Sequence, residues 1–262
     1  MKHEFLNVEV DGGIAVVTMN RPHRLNALNP GLVRELREFF EALNARSSAR
    51  VVILKGAGRA FCSGYDLKDA KTATSVSELL EVQHSIRDIM LAMRRCPQPI
   101  ISIVQGAASG GGFALALASD IRLATPDARM NASFIRIGLS ACDMGVSYFL
   151  PRMVGSSVAS LYMLTGRFMD AQRASALGLV SHIGSLGELE TEARALAGEM
   201  LHATPLGLRL TKEPLGHAVD AGSMEAVVAM EDRNQMLCAQ GEDFAEGIAA
   251  FRERRPPRYS GK

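Results

Sequence analysis

Residues 99–124 read PIISIVQGAASGGGFALALASDIRLA. Ile100 to Val104 form a continuous apolar run of strand length, and Gly106 and Gly110 to Gly112 open the backbone behind it. Small apolar residues from Gly111 to Ala118 suit a short helix, and Asp120 to Ala124 returns to a strand pattern. A buried strand, a glycine turn, a helix and a second strand in succession predict an α/β fold with largely buried strands.

The same alternation extends outward. Phe5 to Val10 and Gly13 to Met19 are predicted strands joined across Asp11-Gly12, a hairpin signal. Pro30 to Leu43 places Leu32, Val33, Leu36, Phe39, Phe40 and Leu43 at helical spacing, and Val51 to Leu54 follows as a buried strand. A helix is expected from about Ser75 to Arg94. Beyond Gly145 the pattern turns helical, with Leu179 to Ile183 as a last short strand and the Pro256-Pro257 pair closing the final helix. The boundary falls near His202 to Pro205, giving an α/β core over 1–202 and a helical region over 203–262.

With 29 Lys+Arg against 28 Asp+Glu among 262 residues, the net charge of +1 gives no basis for nucleic-acid binding, and any charge recognition is local. Cys62, Cys96, Cys142 and Cys238 form no CxxC pair, so neither a zinc knuckle nor a disulfide framework is expected, and a reducing cytoplasm is the natural setting. No apolar run reaches the ~20 residues of a membrane span, and the N-terminus has no apolar signal core.

Two segments end a buried strand in glycines: Gly56 to Leu67, reading GAGRAFCSGYDL, and Gln105 to Phe113, reading QGAASGGGF. Glycine permits close ligand approach, and the first N–H groups of a following helix lack helical partners, a setting for an anion or a developing oxyanion. A plain strand-to-helix connection is the competing reading. The third glycine of a dinucleotide fingerprint, GxxxxGK[ST], GxSxG and HExxH are all missing.

Together these landmarks resemble the crotonase (enoyl-CoA hydratase/isomerase) superfamily. They are Asn20-Arg21-Pro22 with Asn26 to Asn29, then Arg59 to Lys68, Pro99-Ile100 leading to Gly106 and Gly110 to Gly112, and Ala118 to Arg122. Leu150-Pro151-Arg152, Leu164-Thr165-Gly166 and Ala176 to Val180 follow in order. The resemblance implies a crotonase-type spiral of β-β-α units with a C-terminal helical region for oligomerisation and pocket closure, assembled as homotrimers or dimers of trimers. It implies an acyl-CoA substrate, as in fatty acid metabolism, with coenzyme A entering as part of that substrate and no tightly bound cofactor or metal. The backbone N–H groups of Tyr65 and Gly111 would hold the thioester oxygen, and Arg24, Leu25, Asp66, Leu67 and Lys68 would lie at the coenzyme A nucleotide. Phe251 and Arg254 would complete a neighbouring subunit's site.

The pattern departs from the family at two positions. Hydratases of this family use one glutamate just after the triple glycine and a second about twenty residues on, and here these positions hold Ala114 and Phe134. Neither can exchange protons with water or substrate. Phe134 shapes an acyl pocket or packs the core, whereas Phe113 is expected in the core. The nearest acid is Asp143, four residues before Ser147-Tyr148. Similarity to superfamily members with an aspartate there suggests an acid/base or a nucleophile, and its other reading is an N-cap for a helix starting near Gly145. His84, near the position where dehalogenases carry a histidine, either reaches the pocket or is an ordinary helix residue; the matching position itself is Arg87. The leading expectation is a hydratase/isomerase-like enzyme working through an enolate. The alternatives are an Asp143-dependent hydrolase, dehalogenase or C–C hydrolase, and a non-catalytic CoA-binding scaffold.

Overall fold

In the computed structural model, which describes residues 3–44, 47–68 and 75–261, the chain opens as a hairpin. Strands β1 (Leu6–Asp11) and β2 (Ile14–Met19) pair antiparallel, with the turn at Gly12-Gly13, one residue later than expected. Helix α1 (Pro30–Ala42) follows, capped by the Asn29 side chain, and buries Leu32, Leu36 and Phe40. Strand β3 (Val51–Gly56) lies parallel to β2, and α2 (Val76–Arg95) begins at a Ser75 cap.

The deciding segment supplies β4 (Ile100–Val104), a short strand β5 (Ala107–Ser109) and α3 (Gly111–Ala118). Then come β6 (Ile121–Ala124) and β7 (Arg129–Asn131), followed by a 3-10 turn at Ser133–Ile137. Helices α4 (Val146–Val154) and α5 (Ser156–Thr165), strand β8 (Met169–Asp170), α6 (Ala171–Ala176) and β9 (His182–Ile183) complete this part. The last strand is shorter than expected, because Leu179 and Val180 pack into the core ahead of it. Helices α7 (Leu186–Leu201), α8 (Pro205–Ala218), α9 (Met224–Ala239) and α10 (Glu242–Glu253) end the fold. The last helix stops at Arg254, which adopts a left-handed conformation, before the proline pair is reached.

Two sheets result, one in the order β1-β2-β3-β4-β6-β9 and one in the order β5-β7-β8. Each turn of the chain gives a strand to the first sheet and one to the second. β4 is followed by β5 and α3, and β6 by β7 and the next helices. β3 makes the same move in miniature, since Cys62 bridges to Ala108 of β5 before α2 begins. This is the spiral of β-β-α units of the crotonase fold. The central strands are covered on both faces: Val52, Leu54, Ile100 and Val104 belong to the main core, while Val51, Ile53, Ile101 and Ile103 meet Leu189, Ala193 and Ala197 of α7. Burial on both faces explains their unbroken apolar runs. Among the described residues no helix is long and apolar enough to cross a membrane.

Candidate active site

The site is built where the two glycine segments run side by side. Cys62 N–H donates to the Ala107 carbonyl at 3.0 Å, and Ser109 N–H donates to the Cys62 carbonyl at 3.0 Å. This parallel bridge sets Cys62 opposite Ala108 and holds the Gly64-Tyr65 turn beside the start of α3 at Gly111. The approach demands glycine: a Cβ on Gly112 would stand 2.0 Å from the Cys62 carbonyl oxygen, and one on Gly64 2.8 Å from that of Ser109.

A second bridge turns Tyr65. Leu28 N–H donates to Gly64 O at 2.7 Å and Asp66 N–H to Leu28 O at 3.0 Å. In a parallel pair, a strand residue whose neighbours on both sides serve the partner directs its own N–H and C=O the other way. Tyr65 N–H therefore faces away from Leu28, and no acceptor among the described residues takes it. Gly111 N–H opens α3 and is likewise untaken. A Cβ on Gly64 would lie 3.6 Å from Gly111 N, which fixes how closely the two segments sit.

Several buried polar groups hold this arrangement, and their importance was not read from the sequence beyond their place in a motif. Asn26, at φ 55, accepts from Arg21 N–H at 2.9 Å and donates to the carbonyls of Ala57 and Ala60 at 2.9 and 2.7 Å. Arg21 pairs with Asp66 at 3.0 Å, both side chains buried. Asp66 also accepts from Lys68 N–H at 3.1 Å, so its carboxylate serves the loop that carries Tyr65. Burial, followed by the Asp66 charge, pushes the Tyr65 phenol above its ordinary pKa.

Arg24, Leu25, Asp66, Leu67 and Lys68 line one cleft of about 520 Å³, together with Tyr65. Arg24 and Lys68 have no carboxylate partner among the described residues. Phe251 is 86% exposed on α10, and Arg254 is exposed just beyond it.

The other side of the glycine turn is largely apolar, with the Ser133 hydroxyl beside Gly110. Ala114 is fully buried in α3, Phe113 is core, and Phe134 is buried with its ring 3.4 Å from where a Cβ on Gly110 would stand. Phe134 thus packs the core and backs the turn at once. Leu28 and the thioether of Met144 cover Gly111.

Asp143, next to Met144, is half-buried. Its Oδ1 accepts from Met144 N–H at 2.7 Å and from the Gln83 side-chain amide of α2. The capping reading is corrected: α4 is capped by Gly145, without any side-chain bond, and Asp143 offers Val146 N–H its main-chain carbonyl at 2.9 Å. Left-handed conformations at Met144 and Gly145 turn the chain into the helix in place of a carboxylate cap. His84 is exposed on α2, and Arg87 is turned to Asp88 at 2.9 Å. Among the described residues no group of three or more His, Cys, Asp or Glu is placed to hold a metal ion.

The enoyl-CoA hydratase/isomerase family model matches residues 9–262. A probable enoyl-CoA hydratase of Mycobacterium bovis is 39% identical over 94% of this chain and 89% of its own length. The 1,2-epoxyphenylacetyl-CoA isomerase of Escherichia coli is 30% identical over 99% of both chains. Among solved structures, a putative enoyl-CoA hydratase from Streptomyces coelicolor superposes with a TM-score of 0.93 at 37% identity, covering 100% of this chain and 96% of the other.

Proposed function

This chain belongs to the enoyl-CoA hydratase/isomerase family, and from that premise we propose that it moves a proton at carbon next to a CoA thioester, with Asp143 as acid/base. It is an enzyme of the hydratase/isomerase type. The thioester carbonyl sits between Tyr65 N–H and Gly111 N–H, and loss of the α-proton builds negative charge on its oxygen. Two preorganised donors lower the energy of that enolate, each worth about 3 kcal/mol in comparable sites. Returning the proton at another carbon completes an isomerisation.

The observation that carries this reading is the pair of untaken amides, Tyr65 N–H and Gly111 N–H, on two segments held together by the Cys62–Ala108 bridge. Isomerisation is favoured over two-carboxylate hydration because Ala114 and Phe134 line the turn with apolar atoms. Asp143 is the nearest acid in sequence to the Met144–Gly111 contact. Arg24 and Lys68 bind coenzyme A phosphates, with Leu25, Asp66 and Leu67 shaping the cleft. The 1–202 core carries the site, while 203–262 closes it and assembles trimers or pairs of trimers in which Phe251 and Arg254 reach a neighbour's coenzyme A.

A panel of enoyl-CoA thioesters followed by mass spectrometry in D2O, with wild type and Asp143→Ala, tests the assignment. Wild type is expected to exchange the α-proton and shift the double bond, and Asp143→Ala to lose at least a hundredfold. Equal rates remove Asp143 from the mechanism. Product carrying an oxygen from labelled Asp143 would instead make it a nucleophile.

A further inference from the structure

We propose that Gln83 is the positioning residue of the acid/base group: its side-chain amide fixes one oxygen of Asp143 and leaves the other open for proton transfer. The inference rests on the acid/base reading of Asp143. Gln83 lies on α2, three residues before buried Ile86 and seven before buried Met90, at the edge of the stripe that anchors the helix. From this rigid element it reaches across to Asp143 and donates to Oδ1. Met144 N–H donates to the same oxygen at 2.7 Å. Among the described residues Oδ2 has no partner. Two donors on one oxygen stop the carboxylate from rotating, so a single oxygen is presented for proton transfer.

The character of the donor matters as much as its place. Arg87, one turn further along α2, bonds Asp88 at 3.1 and 2.9 Å, so the side chain that meets Asp143 is a neutral amide and not a cation. A guanidinium there would hold the charged carboxylate more strongly and oppose its taking up a proton. A neutral amide orients the carboxylate with less of that penalty. The segment it steadies is tightly turned, since Met144 holds φ 48 and Gly145 φ 83, and a residue other than glycine in that region is held there by its surroundings.

The test uses the full-length protein, with α-proton exchange of a saturated and an unsaturated acyl-CoA in D2O as readout. Gln83→Leu removes the donor at nearly constant size, and Gln83→Glu keeps the shape but replaces the donor with an acceptor. Both are expected to lower kcat by roughly ten- to a hundredfold through misplacement of the reacting oxygen, with KM within about twofold of wild type. The melting temperature stays at the wild-type value, because Gln83 is exposed. In an Asp143→Asn background the Gln83→Leu change is expected to add no further loss to the residual exchange. A wild-type kcat for both Gln83 variants, or an equal loss in both backgrounds, overturns the inference while leaving Asp143 as acid/base. A wild-type rate for Asp143→Asn overturns the reading beneath it, and the inference with it. Should Gln83→Leu melt early, Gln83→Glu decides by the same kcat criterion.

Discussion

Cys62 and Ala108 face each other across a parallel bridge, which lays the Gly64-Tyr65 turn against the start of α3 at Gly111. The contact depends on Gly112, where a Cβ would stand 2.0 Å from the Cys62 carbonyl oxygen. Backbone must move to admit it. Gly112→Ala is therefore expected to separate the two donors and lower kcat by about a hundredfold, the scale of losing one such donor. Gly178 is the control: it has φ +74 but nothing within 4 Å, so Gly178→Ala is expected to cost about 1 to 2 kcal/mol of stability and leave kcat unchanged. Steady-state kinetics with thermal melting of both variants checks the contrast.

Cys62 offers a chemical probe of the same bridge. Complete burial pushes its thiol from 9.0 up to about 12, outweighing the lowering by a Gly64 backbone hydrogen bond and the Arg21 charge. The folded state thus keeps a proton that the unfolded chain gives up, so the stabilisation is whole below pH 9.0 and is lost as pH rises toward about 12. Native protein treated with iodoacetamide at pH 8 is expected to label exposed Cys142 and to spare Cys62. Peptide mapping reads the result, and early labelling of Cys62 would mean that the bridge opens in solution.

The resemblance matches Phe134 to a hydratase glutamate, and its ring backs Gly110. Phe134→Ala is expected to cost about 3 kcal/mol in urea unfolding, as a buried ring is replaced by a cavity. A drop in kcat larger than the accompanying rise in KM would tie the ring to the turn's geometry. A loss below 1 kcal/mol would show that the pocket collapses around the gap.

Much of this architecture was legible because its signals are local. The apolar run Ile100 to Val104 and the small-residue helix 111–118 appear as read, since strand burial on both faces and a helix N-terminus at glycine leave direct marks in sequence. The second sheet was not legible. Strands β5, β7 and β8 have only two or three residues each, too short for periodicity, and exist through pairing with distant partners. The candidate site divides in the same way. Glycines announced the two turns, but the Arg21–Asp66 pair and the Asn26 clamp are contacts across 45 and 34 residues that no spacing reveals. Of the two readings open for Asp143, the cap is not realised, because Met144 and Gly145 supply the turn through left-handed backbone, a choice aspartate does not signal.

Lys212 of α8 fastens the C-terminal helices to the core, and its removal should be felt well beyond its own helix. Its ammonium, nearly buried, donates to the carbonyls of Gln98 at 2.7 Å and Met93 at 3.2 Å and lies 3.0 Å from Asp120. Asp120 in turn accepts from Ile100 N–H and Arg94, each at 2.8 Å, so α2, β4 and α8 meet at one carboxylate. Lys212→Met keeps the apolar stem but strips two buried carbonyls and the carboxylate of their cation, a loss of about 3 kcal/mol. Arg94→Met breaks a pair whose members are 29% and 21% exposed, and Asp120 still retains Lys212, so a loss of about 1 kcal/mol is expected. Urea unfolding of both variants, with limited proteolysis of residues 205–218 as a local readout, separates the two. Equal losses would mean that burial of the cation is not what makes the Lys212 contact strong.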